Sequence, residues 1–355
     1  MIDIDKIMYL AMKKDASDIH LIAGIKPVMR VRRDLISYED FDILTEEDMW
    51  EIYDYFVRGN VDKDRVFKET KRLDSSFVFS DIRLRVNISL SNEIPVVTLR
   101  LIKNQLPSYE SLGVPDIVRR MMYQPQGLVL VTGKTNSGKT TTLNALINEI
   151  NENQNKKILT LESPIEYKHK CKKSIIVQKE VGVGQDCLTY SSGVKNSLRE
   201  DCDILVIGEI RDKETAEIAM QAGQTGHYVL STIHTIDSIE VITRLRKIGV
   251  SDYDIASTLA TSLSQRLVRK VCPKCAVQRE YTEEEKNIIN GIAKKYGVEY
   301  DFTGKYTYDT VGCKYCNNSG FYGRIGIFEI LNMTEDVKEL VIKGESSIEI
   351  RKKAM

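Results

Sequence analysis

The amino-acid sequence predicts an α/β protein with a mostly parallel sheet, preceded by a small α+β domain. In the second part of the chain, short apolar runs alternate with helical segments, as helix-covered parallel sheets require. A glycine-rich loop follows the first of these runs, and an earlier region instead alternates with a period of two residues. The apolar runs are residues 128–132, 157–161, 204–207 and 228–231.

Composition limits the class of protein further. The chain has 355 residues, with 51 Lys and Arg against 51 Asp and Glu, and therefore no formal net charge. Its 42% hydrophobic and 29% charged residues exclude a disordered, collagenous or disulfide-dense chain. No apolar run reaches the roughly 18 residues of a membrane helix, and the acidic N-terminus is unlike a signal peptide. We expect an intracellular protein of two or three domains without a dominant nucleic-acid-binding surface.

An arginine-bearing β-hairpin is the clearest element of the N-terminal part. Residues 82–88 place apolar side chains on one side and polar side chains on the other, and residues 97–101 do the same after a turn signal. This alternation predicts two antiparallel strands with one buried face. The polar face of the hairpin would present Arg85 and Arg100.

A phosphate-binding loop is the most specific motif of the chain. Residues 133–140 match G-x-x-x-x-G-K-[ST], with a strand before and a helix after, as this motif requires. Glycines let backbone N–H groups converge on phosphate oxygens, and the helix N-terminus adds partial positive charge. Lys139 would contact the β- and γ-phosphates of a nucleotide, and Thr140 would ligate Mg²⁺. The predicted nucleotide-binding residues are Gly133, Lys134, Thr135, Asn136, Ser137, Gly138, Lys139, Thr140 and Thr141.

Polar side chains follow three of the other predicted strands. Glu162 and Glu166 leave one strand, Glu209 follows another, and His234 lies beyond a third. Because open parallel sheets bind ligands at the carboxyl ends of their strands, these side chains are candidates for the same site. Phosphoryl transfer to water needs a carboxylate to orient the attacking water, which makes Glu166 and Glu209 the natural pair. His234 would sense the γ-phosphate. Solvated loop acids and a structural histidine are the alternatives.

Two C-x-x-C pairs predict a zinc site. An intracellular chain should not use Cys272, Cys275, Cys313 and Cys316 in structural disulfides, because its compartment keeps thiols reduced. The spacing C-x₂-C-x₃₇-C-x₂-C supplies four ligands for a closed tetrahedral site. With no His nearby, the zinc would be structural rather than catalytic.

The motifs divide the chain into two predicted domains. A polar, proline-containing stretch, residues 103–108, predicts a linker. The first domain then covers residues 1–104. The second covers residues 105–355 and carries the zinc module at about residues 271–317.

With these motifs the sequence resembles the type II secretion and type IV pilus motor ATPases over nearly its whole length. Ser163 departs from the pattern, since the family usually has Asp there. The matching segments are residues 16–21, 85–87 and 99–101 in the N-terminal domain, the Walker A box at 133–140, the Asp box at 161–166, the atypical Walker B at 207–212 and the His box at 225–234.

The resemblance implies a fold and a set of catalytic roles. The fold would be a RecA-like P-loop domain preceded by a PAS-like α+β domain. Glu166 would orient the hydrolytic water, and Glu209 would act on Mg²⁺ and its water. Arg85 and Arg100 would reach the γ-phosphate, within their own chain or across an interface.

The resemblance also implies a biological role. The chain would form a homohexameric ATP-hydrolysing motor, cytoplasmic and peripheral at the inner membrane, that acts on a platform protein to assemble a type IV pilus, pseudopilus or competence pilus. It would bind ATP, Mg²⁺ and Zn²⁺, without direct contact with nucleic acid. The tetracysteine is typical of secretion and assembly members, whereas retraction members generally lack it. The alternatives are a retraction motor, a nucleic-acid-translocating RecA-like ATPase and a nucleotide-gated scaffold without hydrolysis.

Overall fold

The structure, a computed structural model, describes residues 2–31, 34–80, 82–102, 106–295 and 297–354. The chain divides into two compact units, which are described separately. The first comprises Met1–Pro107, Gln124–Leu128 and Leu143–Thr232, and the second comprises Ser108–Tyr123, Val129–Thr142 and Ile233–Met355. The predicted boundary between residues 104 and 105 lies outside the described residues.

The N-terminal part of the first unit is an antiparallel sheet with three helices. Its six strands are β1 (Asp18–Leu21), β2 (Val28–Val31), β3 (Asp34–Ser37), β4 (Arg72–Phe79), β5 (Ile82–Ser91) and β6 (Ile94–Ile102). Their order in the sheet is β3-β2-β1-β6-β5-β4. The helices are α1 (Ile4–Lys13), α2 (Glu46–Val57) and α3 (Val61–Thr70).

The predicted arginine hairpin is confirmed as β5 and β6. Leu84 and Leu99 point into a core in which both are almost completely buried, and Arg85 is exposed on the other face. Arg85 and Arg100 are direct register partners across the two strands. Period-two alternation produces this arrangement because successive strand residues face opposite sides of the sheet.

The rest of the first unit is a parallel sheet flanked by helices. Its strands pair in the order β9-β8-β10-β11, and all three pairings are parallel. The elements are β8 (Lys157–Glu162), β9 (Ile175–Glu180), α6 (Tyr190–Ser197), β10 (Ile204–Ile207), α7 (Lys213–Gln224) and β11 (Tyr228–Ile233). Two further elements, β7 (Gly127–Thr132) and α5 (Lys139–Asn153), are divided between the two units.

Burial explains why the parallel strands were recognisable in the sequence. β7, β10 and β11 are buried along their whole length. Strands that are covered on both faces consist of continuous apolar runs rather than alternating ones. The α/β class with a mostly parallel sheet is therefore confirmed.

The second unit combines helices with a long antiparallel strand pair. β12 (Leu259–Val271) pairs with β15 (Phe321–Asn332), and the short β13 (Ala276–Arg279) pairs with β14 (Thr307–Thr310). The helices are α4 (Asp116–Met121), α8 (Glu240–Lys247), α9 (Asp252–Thr258), α10 (Glu283–Lys295), α11 (Glu335–Ile342) and α12 (Ser347–Ala354). Across the described ranges of both units, the helices are too short or too polar to cross a membrane.

Candidate functional site

Two glycines shape the P-loop that follows β7. Gly133 has a φ of +142°, and a Cβ built there would lie 2.5 Å from the carbonyl oxygen of Gln265. Gly138 has a φ of +86°, and its Cβ would lie 3.0 Å from Gln265 Nε2. A side chain at either position would strain the backbone and crowd Gln265. The loop therefore presents bare backbone, which is what phosphate binding by N–H groups requires.

Lys139, the first residue of α5, lies inside this loop. Its side chain is buried, and Nζ donates hydrogen bonds to the carbonyl oxygens of Gly133 at 3.0 Å and Lys134 at 3.1 Å. The buried Ser137 Oγ has no hydrogen-bond partner in the part of the chain that the structure describes. A buried ammonium and an unpaired hydroxyl within a glycine cradle fit the oxygens of a nucleotide phosphate.

The remaining predicted binding residues lie on the same segment. Lys134, Thr135 and Asn136 are exposed on the loop, and Thr140 and Thr141 are half-buried in the first turn of α5. A threonine hydroxyl is an oxygen donor of the type that Mg²⁺ prefers, so the position of Thr140 fits the predicted ligand. The binding roles of these residues stay predictions.

The segment after β11 is attached to the residue that precedes the P-loop. The Thr235 backbone N–H donates to Thr132 Oγ1 at 2.9 Å, and the two threonine hydroxyls lie 2.7 Å apart. His234 is exposed and immediately precedes Thr235. This anchor fixes the backbone beside His234, whose γ-phosphate role stays a prediction.

In the first unit, two carboxylates lie at the end of β8. Glu162 is almost completely buried, and its Oε1 accepts hydrogen bonds from Thr160 Oγ1 at 2.8 Å and Gln178 Nε2 at 3.1 Å. Burial raises the pKa of Glu162 despite these bonds, and the nearby charge of Glu166 raises it further. Burial also raises the pKa of Glu166, and the charges of Arg85 and Arg100 oppose that shift. The structure thus brings three predicted catalytic residues together within one chain.

Asp18 on β1 holds one of the two arginines. Arg100 Nε donates to Asp18 Oδ1 at 2.8 Å, and the two residues are register partners on neighbouring strands. Burial alone would raise the pKa of Asp18, but hydrogen bonds from Arg100 and Ser17 outweigh it and hold the pKa below its usual range. The Asp18 carboxylate therefore stays charged and orients the Arg100 guanidinium.

Glu209 lies just after β10, which is the neighbour of β8 in the sheet. Its Oε2 lies 2.5 Å from Nε of the exposed Arg211. Burial, followed by the charge of Glu209, raises the pKa of the Tyr190 hydroxyl. A Cβ at Gly208 would lie 2.8 Å from that hydroxyl, so Tyr190 explains why glycine precedes Glu209 in this chain.

The four paired cysteines form one cluster. Their sulfur atoms all lie within 4.8 Å of one another, and three of the pairs are 3.8 Å apart. Tetrahedral zinc with Zn–S bonds of about 2.3 Å places its sulfurs about 3.8 Å apart, so the donor set fits zinc. Backbone N–H groups of Cys313 and Gly320 donate to Cys316 Sγ, which favours the thiolate that zinc needs. The cluster closes the end of the β12–β15 pair.

Several residues around these sites were missed from the sequence. Glu180 ends β9 beside Glu162, its register partner on β8. Part of the signal was available, since residues 175–177 form another apolar run and the acid at position 180 follows shortly after it. Gln178 and Tyr190 carry no such signal, because their roles depend on contacts between distant parts of the sequence.

The fold and these sites define a class: an α/β P-loop protein with an N-terminal arginine hairpin and a tetracysteine cluster that fits a metal ion. The chain belongs to the family of type II/IV secretion system proteins, whose family model matches residues 1–355. The predicted family is thereby confirmed.

Individual relatives support the same assignment. The chain is 39% identical over 276 residues to the type II secretion system protein E of Aeromonas hydrophila, which covers 76% of this chain and 52% of that protein. It is 39% identical over 233 residues to the type IV pilus assembly ATPase PilB of Myxococcus xanthus, covering 65% of this chain and 39% of PilB. The chain therefore spans about half the length, or less, of these curated relatives.

A solved structure confirms the predicted fold class. The crystal structure of the pilus retraction motor PilT with bound ADP matches this chain with a TM-score of 0.76 and 28% identity. The match covers 97% of this chain and 87% of the PilT chain. The nucleotide is a property of that PilT crystal.

Replacing Cys272 and Cys275 with Ser should remove the metal. We expect about one zinc per chain in the unaltered protein and none in the double variant, because two thiolates cannot close a tetrahedral site. The loss should lower the melting temperature by about 5 to 10 °C. Metal analysis and thermal unfolding measure both effects.

Cys171→Ser is the matched control, because Cys171 is exposed and lies outside the cluster. An unaltered protein that contains no zinc, or a double variant that retains it, would contradict the assignment of this cluster.

Proposed function

We propose that this chain is an ATP-hydrolysing motor of a type II secretion or type IV pilus system. The observation that carries the proposal is the P-loop, which is shaped by two glycines and in which Lys139 Nζ donates a hydrogen bond to the Gly133 carbonyl oxygen. Membership of the secretion family and the likeness to PilT support the same activity.

Different residues of the chain would bind ATP, orient the attacking water and stabilise the transition state. Lys139 and the loop N–H groups would bind the β- and γ-phosphates of ATP. Thr140 would hold Mg²⁺, which would supply positive charge to the phosphates. Glu166 accepts a hydrogen bond from the attacking water and orients it toward phosphorus. Glu209 would help to hold Mg²⁺ through its water, and His234 would contact the γ-phosphate. Arg85 and Arg100 stabilise the negative charge of the transition state.

The two arginines would act together with Glu166 of their own chain. This part of the proposal rests on the opposing charges that Arg85 and Arg100 exert on Glu166 within one compact unit. Both arginines belong to strands of the N-terminal domain. If their guanidinium groups moved from Glu166 to a phosphate, the N-terminal domain would therefore move with them. ATP binding and hydrolysis would thereby drive the domain movement that performs mechanical work.

Filament assembly is the favoured direction of that work. The tetracysteine cluster resembles that of secretion and assembly motors, and the curated relatives compared above carry secretion and assembly names. We propose a homohexamer with a domain boundary near residue 104 and with a platform protein of the cytoplasmic membrane as partner. Retraction is the second candidate, because the solved relative PilT is named as a retraction motor.

Lys139→Ala should reduce ATP hydrolysis to the limit of detection, a loss of about 100-fold or more, because the phosphate charge loses its buried counter-charge. Steady-state release of phosphate measures the effect, and circular dichroism checks that the variant is folded. Lys195→Ala removes an exposed lysine that pairs with Glu214, and serves as the control. Unchanged hydrolysis by folded Lys139→Ala would refute the P-loop assignment.

Arg85→Gln should move the acidic limb of the kcat–pH profile to higher pH. Glu166 works as an anion, burial already raises its pKa, and the Arg85 charge opposes that rise. Without the arginine the pKa of Glu166 rises further, so activity fails at a higher pH as acid is added. Profiles measured from pH 5 to pH 9 show the shift, and Arg72→Gln, in an exposed pair with Asp74, should leave the limb in place. A shift toward lower pH would contradict the role of Glu166.

Deletion of the gene separates assembly from retraction. Cells that lose their filaments support assembly, whereas an excess of filaments that cannot shorten supports retraction. A nucleic-acid translocase would instead show ATPase activity that DNA or RNA stimulates and that salt suppresses.

A further inference from the structure

The end of β9 and the loop that follows it contact the N-terminal part of the same unit at three points. Glu180 forms an ion pair with Arg83 on β5. Asn60 Nδ2, just before α3, donates to the Gly184 carbonyl at 3.1 Å, and Gln185 Nε2 lies 3.4 Å from Ser75 Oγ on β4. The contacts connect residues that are about 100 positions apart in the chain, and they seat the hairpin against the parallel sheet of the same unit.

The Arg83–Glu180 pair is the most buried of these contacts. The Arg83 side chain is 21% exposed and the Glu180 side chain only 7%, whereas both members of the Lys195–Glu214 pair are about 60% exposed. Exposed ion pairs contribute little, but removal of one member of a buried pair leaves a charge without its partner. The position of Arg83 is therefore strongly tied to Glu180.

The second contact, between Asn60 and Gly184, leaves no room for a side chain at position 184. Gly184 has a φ of +65°, and a Cβ there would lie 2.5 Å from Asn60 Oδ1. The same Asn60 oxygen caps α3 by accepting a hydrogen bond from the Lys63 backbone at 3.0 Å. A side chain at position 184 would displace this cap, so glycine permits the close approach.

Geometry connects this contact to the proposed catalytic groups. Arg83 and Arg85 are two residues apart on β5, so both side chains leave the same face of the strand. On the opposing sheet, Glu180 is the register partner of Glu162, and Glu162 lies in the field of Glu166. Placing Arg83 on Glu180 therefore places Arg85 near Glu166.

We propose that Arg83 and Glu180 are a positioning pair that seats the arginine hairpin so that Arg85 and Arg100 face Glu166 of the same chain. The pair would act by fixing the position of the hairpin rather than by taking part in the reaction. Its effect on catalysis rests on the proposed ATPase function, whereas its effect on hairpin seating does not.

Exchange of the two charges tests the pair. Arg83→Glu and Glu180→Arg should each lower kcat about tenfold and change KM for ATP by less than about twofold, because the hairpin loses its seat while the P-loop is untouched. The double variant R83E/E180R restores the opposite charges and should recover kcat to within about threefold of the unaltered protein. Arg83→Gln serves if a charge reversal does not fold. The exchange of Lys195 and Glu214 is the control and should change nothing.

A double variant no better than the weaker single variant would overturn the proposal, as would a folded Arg83→Gln with unchanged kcat. Amide hydrogen exchange without nucleotide separates this result from failure of the ATPase function. Arg83→Gln should speed exchange in residues 180–187, even if the protein hydrolyses no ATP. Unchanged exchange there would overturn the pair while leaving the proposed function intact.

Discussion

The electrostatic attraction between arginines and carboxylates in the first compact unit is the interaction on which the other proposed roles depend. Arg85 and Arg100 are register partners, and like charges at such positions repel each other. Asp18 pairs with Arg100, and the carboxylate of Glu166 lies within reach of both charges. The acids therefore stabilise a concentration of positive charge on an exposed sheet face, which is what a phosphate would need.

The same attraction explains how ATP hydrolysis would be coupled to movement of the N-terminal domain. Burial raises the pKa of Glu166, and the charges of the arginines oppose that shift and so favour the charged form. A phosphate would compete with the carboxylates for the same guanidinium groups. The nucleotide state would thus change the forces on the N-terminal sheet.

Local pattern made much of the fold and part of the site predictable. Buried parallel strands consist of apolar runs and the hairpin alternates strictly, so both could be recognised without tertiary information. The P-loop and the cysteine pairs have fixed spacing. The contacts of Glu180 with Arg83, and of Gly208 with Tyr190, could not be predicted, because they join segments whose approach is decided only by packing.

The most direct measurement mixes two inactive variants of the chain. Glu166→Gln lacks the carboxylate, and the double variant R85Q/R100Q lacks the arginines. If one chain supplies both groups, no chain in the mixture has a complete site, and ATP hydrolysis stays at the level of the separate variants. Exchange of subunits is verified with fluorescently labelled unaltered protein. Recovery of hydrolysis on mixing would contradict the arrangement within one chain, because the arginines would then complete the site of a neighbour.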